Sequence, residues 1–175
     1  MRKITVSGAS PQDNGAAFVA DNATLAGAVE LEENCSIWYG AVLRADTGRI
    51  RVGRGSNVQD NAVLHTGPGL DILIGENASI GHSAVVHGCT IGDGALIGMH
   101  ATVMNGAVVG RGAVVAAGAL VPEKMVVPDG TVVMGVPAKV HGTAREDLAA
   151  DNLANAEEYR ALAKAHAAAQ TREKD

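Results

Sequence analysis

The sequence predicts an all-β solenoid: a parallel β-helix of six-residue repeats, followed by a C-terminal α-helix. Three observations predict it. Apolar residues return at every sixth position: Val19, Leu25, Leu31, Ile37 and Leu43, then Val52, Val58 and Leu64, then Ile74, Ile80 and Val86, and finally Ile91, Ile97, Val103, Val109, Val115 and Val121. The residue four after an anchor is usually small, as at Cys35, Ala41, Ser56, Ala62, Ala78, Ala84, Ala95 and Ala101, and Gly often follows the anchor directly. The 175 residues include 22 Gly but only one Phe, one Trp and two Tyr, a composition for many thin, similar layers rather than one thick interior.

Neither a 3.6-residue nor a 2.0-residue period explains the anchors. A triangular prism does: each hexad forms one short strand and a turn, three hexads close a coil, and the anchors point inward. Seventeen anchors make between five and six coils. At the spacing of neighbouring strands the prism is roughly 25–30 Å long. Gly and the small residues are expected where the chain bends between faces.

The period breaks three times, with three extra residues between Leu43 and Val52, four extra between Leu64 and Ile74, and one fewer between Val86 and Ile91. Insertions in a solenoid are expected to leave as loops. Residues 1–17 read as a short strand (Ile4, Val6) and a loop. From Pro122 the repeat fades into extended chain punctuated by Pro and Gly. From Arg145 the composition turns helical, with Ala149, Leu153, Ala156, Tyr159, Ala163 and His166 forming a stripe that lies along the prism. The division expected is therefore 1–144 for the β-helix, with repeats over about 19–121, and 145–175 for the helix.

A formal charge of −5 argues against nucleic acid and against an anionic membrane as partners. No stretch has signal-peptide or membrane-span character. Two cysteines make no disulfide framework, and a cytoplasmic location is expected. Cys35 occupies a small-residue slot of the core, Cys89 reads as packed, Trp38 as interface packing, and His141 and His166 as surface residues.

On a regular prism, spacing converts into position. Assigning hexads to three faces in turn puts Leu43, Leu64 and Val86 on one face, Val52 and Ile74 on the next, and Val58 and Ile80 on the third. His65 and His87 each follow an anchor of the first face in adjacent coils, so they point outward about one strand spacing apart. His82 lies two residues past Ile80, near another edge, out of reach of that pair within one chain. A second copy packed alongside supplies it, which predicts a homotrimer with metal sites shared between subunits. Three histidines with an open fourth position is the pattern of a catalytic zinc, although iron or cobalt suits the same ligands. Arg44 heads the ladder of His65, and Asp60 is stacked under His82; across the expected interface the two would form an ion pair. Gln59 would orient the reactive water on the metal.

The segments VLRAD (42–46), VQDNAVLH (58–65), IGHSAVVHGCTIG (80–92) and LIGMHATV (96–103), with MGVPAKV (134–140) and NAEEYRALA (155–163), resemble the gamma-class carbonic anhydrases. The resemblance implies a left-handed parallel β-helix of hexapeptide repeats, assembled as a trimer. It implies reversible hydration of carbon dioxide to bicarbonate by a metal-bound hydroxide. His65 and His87 then correspond to ligands from one subunit and His82 to the ligand from its neighbour. Arg44 and Asp60 resemble the interfacial pair, Asp46 a member of the interface network, Gln59 the residue beside the hydroxide, and Tyr159 a tyrosine that closes the pocket. One departure is that the stretches 46–50 and 65–73 hold no glutamate, where active members carry acidic proton-shuttle residues. His100 stands where Gly or Asn is more usual, either as a relay or as a surface side chain. Two alternatives stay open: a hexapeptide-repeat acyltransferase, which the prism and GVPAK also resemble, and a metal-stabilised scaffold without catalysis.

Overall fold

The six-residue anchors stack into three ladders. One runs Leu25–Leu43–Leu64–Val86–Val103–Val121, the second Leu31–Val52–Ile74–Ile91–Val109–Val127, and the third Val19–Ile37–Val58–Ile80–Ile97–Val115–Val133, each step a parallel register pair. The chain is thus a left-handed parallel β-helix of about 7 turns with one C-terminal helix. The computed structural model describes residues 1–143 and 146–172, and the helix side chains from residue 150 onward. Arg145, the side chain of Ala149 and residues 173–175, all part of the expected helical segment, lie outside the described residues.

The anchors are removed from water. Leu25, Leu31, Ile37, Leu43, Leu64 and Ile80 are all completely buried, each contributing roughly 1.5–3 kcal/mol of transfer free energy. Ala23, Cys35, Ala41, Ala62, Ala84, Ala101 and Ala113 fill the slots between them, because a larger side chain four residues past an anchor would collide inside the narrow prism.

The corners use a different position from the one expected. The chain turns three residues after the anchor, where φ is positive at Asn34, Asn61, Asn77, Ser83, His100 and Lys124 (53° to 60°) and at glycines such as Gly40, Gly94 and Gly118. Asn and Gly tolerate that left-handed conformation best. Glycine directly after the anchor has another cause. A Cβ on Gly81 would lie 2.7 Å from the Ile97 carbonyl oxygen, so Gly there lets successive coils approach.

The repeat also runs further than its sequence signal. Val127 and Val133 continue the step beyond Val121 and are buried like the other anchors. Pro122 and Pro128 mask the continuation but do not break it. In earlier coils the amide after the anchor donates to the next coil, as Met104 N does to Val121 O. Leu120–Val121 and Val126–Val127 are the terminal strands of their ladders among the described residues, so a proline after either anchor gives up no ladder hydrogen bond. The chain closes the end with an antiparallel hairpin, Thr131–Met134 against Lys139–Thr143.

Of the three interruptions, the first does not loop out. Val42–Val52 is one strand of 11 residues that rounds the corner, pairing its first half with Val63–His65 and its second with Ile72–Ile74. The extra residues are absorbed as a register shift against Thr24–Leu31, between Gly27 and Val29. The second interruption does leave as a tight loop, bridged between Gly67 and Leu70.

The helix Glu146–Arg172 packs along the third face. Ala156 and Ala163 are fully buried, Tyr159 and His166 half-buried, whereas Leu153 is exposed and Asn152 takes the inward place next to it. The aromatic residues gather beneath this helix. Trp38 lies 5.2 Å from Phe18, 5.2 Å from Tyr159 and 5.0 Å from His166, ring centre to ring centre. Trp38 is therefore packed inside its own chain rather than at an interface, because the helix needs a large flat surface to seat on. His166 is likewise drawn from the surface into the cluster, where its Nδ1 meets the Tyr39 hydroxyl at 2.8 Å.

Candidate metal centre

Strands Val63–His65 and Val85–His87 are neighbours in adjacent coils, with His87 directly opposite His65 and Arg44 opposite His65 on the other side. Both imidazoles end a strand on the outer surface, and their rings meet edge to face with centres 4.9 Å apart. His65 Nδ1 and His87 Nε2 are 2.9 Å apart. Each ring's other nitrogen is held by an oxygen: His65 Nε2 lies 3.1 Å from Asp46 Oδ1, and His87 Nδ1 contacts Asn105 Oδ1.

These partners decide the tautomers. A carboxylate and an amide oxygen only accept, so each demands a proton on the nitrogen facing it. Two neutral imidazoles so held turn their lone pairs toward each other across 2.9 Å. Two nitrogens at that distance can share a proton or turn together to one cation. The gap is shorter than two Zn–N bonds of about 2.0–2.1 Å, so one ion can touch both donors. The donor set fits a borderline divalent metal, with Asp46 and Asn105 as its outer supports. Partial loss of solvent pushes the Asp46 carboxyl up, but hydrogen bonds from Arg44 and His65 outweigh this and hold it below the usual carboxylate range.

Asn105 was not singled out from sequence. The strand register runs Val86 to Val103, which sets Met104 opposite His87, so Asn105 stands one position past the register partner and only its side-chain direction brings it to the ring. Within one chain the Arg44 guanidinium pairs with Asp46; the pair expected with Asp60 lies between subunits.

His82 stands apart, at the turn after Ser79–Ile80. Its Nδ1 is 2.8 Å from Asp60 Oδ2, its Nε2 3.2 Å from the Tyr159 hydroxyl, and its backbone N–H donates to Gln59 Oε1 at 3.1 Å. Asp60 fixes the proton on Nδ1, which leaves Nε2 as the accepting atom. Gln59 is in turn oriented by donating to Asn57, which donates to Ser79 Oγ, where Asn155 of the helix also donates. Burial first, then the charges of Asp60 and Glu158, raise the Tyr159 phenol, so it stays protonated and acts as a donor. Among the described residues of one chain, no three metal-binding side chains converge.

The comparisons with known proteins place this architecture. The family model for the bacterial transferase hexapeptide (six repeats) matches residues 71–103 and 88–123. A hexapeptide transferase family protein from Anaplasma phagocytophilum superposes with a TM-score of 0.90 at 41% identity, covering 94% of this chain and 97% of that one. This chain belongs to the hexapeptide-repeat family.

Within the family, a candidate acetyltransferase from Bacillus cereus superposes with a TM-score of 0.92 at 31% identity, over 94% of this chain and 96% of that one. Gamma carbonic anhydrase 3, mitochondrial, of Arabidopsis thaliana is 47% identical over 79 residues, 42% of this chain and 31% of the plant protein. The resemblance to gamma-class carbonic anhydrases thus holds among the curated relatives, and the matched stretch spans less than half of their length.

This hexapeptide-repeat protein has a groove of about 390 Å³ beside His82, lined by Gln59, Leu96, Met99, Val114 and Tyr159 among others. Its lining is mostly apolar with a few polar groups, a form that suits a small, weakly polar substrate or the edge of a packed neighbour. His100 occupies a left-handed corner and is exposed. Burial pushes the Cys89 thiol up to about 12, so it is a neutral packed group rather than a thiolate ligand.

Proposed function

We propose that this chain is a gamma-class carbonic anhydrase-like metalloenzyme that interconverts carbon dioxide and bicarbonate. Its metal would be held at the interfaces of a homotrimer by His65 and His87 of one subunit and His82 of the next. The observation that carries the reading is the pair of imidazole nitrogens facing each other at 2.9 Å from adjacent coils, the other nitrogen of each ring against a side-chain oxygen. The trimer is supported by Val63 and Val85, paired in register and each more than a third exposed beside the histidines. Apolar side chains in that place are suited to being covered by a second copy. Zinc is the first expectation for the ion, with ferrous iron or cobalt as alternatives.

When bound, the ion would supply the Lewis acidity that makes water reactive near neutral pH. The chain's own residues do the rest. Asp60 keeps His82 in the tautomer with a free Nε2. Gln59, its amide pinned by His82 N–H and Asn57, presents a fixed polar edge to the groove. Arg44 is free to exchange its Asp46 partner for Asp60 of a neighbour when copies assemble. Tyr159 closes one side of the groove. Both cysteines are reduced and buried, which suits a reducing compartment such as the cytoplasm.

The test is metal content of anaerobically purified protein, followed by stopped-flow hydration of carbon dioxide. About one ion per chain in a trimer is expected, with a rate above buffer that His65→Ala abolishes. No rate above buffer with zinc, cobalt or ferrous iron would sink the enzyme reading and favour a metal-stabilised scaffold. Acyl transfer is the second reading, because structures matching the whole chain are assigned as transferases. Acetyl-CoA binding by a protein without tightly held metal would favour it.

A further inference from the structure

We propose that Asn105 is a positioning residue that selects the Nδ1–H tautomer of His87 and so turns Nε2 into the metal-binding atom. The inference rests on the metal reading above but concerns a residue outside the family-like motifs.

A neutral imidazole carries one proton, and its site is set by what the other nitrogen meets. His87 Nδ1 faces the side-chain oxygen of Asn105 and Nε2 faces His65 Nδ1. With the oxygen inward, His87 must donate from Nδ1, and its Nε2 lone pair joins that of His65. With the amide nitrogen inward, the order reverses. Asn105 would donate to Nδ1, and His87 would donate from Nε2 to His65 Nδ1. His65 would then donate from Nε2 to Asp46. That second arrangement is a closed hydrogen-bond chain with no free lone pair for an ion. The edge of the Asn105 amide that faces His87, its oxygen in this structure, therefore decides whether the pair is a metal site or a string of hydrogen bonds.

Its backbone is well held for the task. Lys124 N donates to Asn105 O at 2.9 Å, and Gly106 N donates to Gly88 O at 2.7 Å, which clamps the two coils together beside the ring. Gly88 itself leaves the space: a Cβ there would lie 3.0 Å from Asn105 Oδ1. The two supports also differ in kind. Asp46 brings a charge to His65, whereas Asn105 brings a neutral oxygen to His87, so the site is oriented from both sides while gaining one negative charge rather than two.

The test uses the full chain with 15N-labelled histidine, metal-free and in mildly alkaline buffer. Long-range proton–nitrogen correlation reads which nitrogen of His87 bears the proton. Wild type is expected to show Nδ1–H; Asn105→Asp, which can only accept, keeps it; Asn105→Leu loses the preference and shifts toward Nε2–H. Zinc affinity by chelator competition should fall roughly 10- to 100-fold in Asn105→Leu and be retained in Asn105→Asp. A wild-type His87 protonated at Nε2, or an unchanged tautomer in Asn105→Leu, overturns the proposal. The wild-type spectrum and the Asp variant decide it even if the Leu variant does not fold. If wild type binds no metal while the tautomers behave as stated, the metal reading fails and the role of Asn105 stands.

Discussion

Tyr159 and His82 show how one contact can serve the isolated chain and yet oppose its assembled function. The Tyr159 hydroxyl donates to Nε2 of His82, the atom that would bind the ion. Removing the hydroxyl therefore removes a competitor. Tyr159→Phe is expected to tighten zinc binding by the worth of one hydrogen bond, about 0.5–1.5 kcal/mol, as read by chelator competition. Weaker binding in that variant would instead mean that the phenol helps to hold the ion or the pocket. Asp129 gives a second residue-level expectation, far from the site. The Arg111 backbone N–H and then its guanidinium hold the Asp129 carboxyl below its ordinary value. A carboxyl depressed in the folded state stabilises above its unfolded pKa, and that stability is lost as pH falls through the folded one. Asp129→Ala should therefore lower the melting temperature near neutral pH, and the difference should close as pH drops below about 4.

At the scale of the element, the hexad assigns different work to its glycines. Gly118 turns a corner with a φ of +68° and open space around its Cβ position, so only backbone strain opposes a side chain there. Gly81 lies against the next coil, where a Cβ would meet the Ile97 oxygen at 2.7 Å. Gly118→Ala is expected to cost about 1–2 kcal/mol, the left-handed penalty alone. Gly81→Ala should cost more, because two coils must separate to admit it. Equilibrium unfolding of both variants in denaturant checks the order. The reverse order would show that corner strain, not coil spacing, limits the repeat. The helix contributes through Trp38, Phe18, Tyr39 and His166, a cluster whose stacking fixes where Tyr159 and Asn155 reach the prism.

At the scale of the whole molecule, the proposed site is complete only between copies, and that can be tested without a structure of the assembly. A His65→Ala chain still offers His82, and a His82→Ala chain still offers His65 and His87. Each alone should bind no zinc tightly. In cyclic trimers re-formed from an equal mixture, about a quarter of the interfaces unite the intact halves. Zinc content should recover to about that fraction of wild type. No recovery in mixed trimers would place the three ligands differently.

The ladders were legible in the sequence because an inward side chain every six residues leaves a periodic trace that surface residues do not blur. That same trace placed His87 opposite His65 and kept His82 apart from them. The trace faded at Pro122 only because proline usually ends strands, and sequence cannot show that the strands before Pro122 and Pro128 are the last of their ladders. What sequence could not decide were the side-chain directions that follow from packing. Trp38 and His166 turned inward because the helix had to seat somewhere. Arg44 turned to Asp46, and the oxygen of Asn105 turned to His87. Period sets where a residue stands on the prism, since backbone hydrogen bonds repeat it coil after coil. Only the tertiary structure decides which of the neighbours within reach a polar side chain will face.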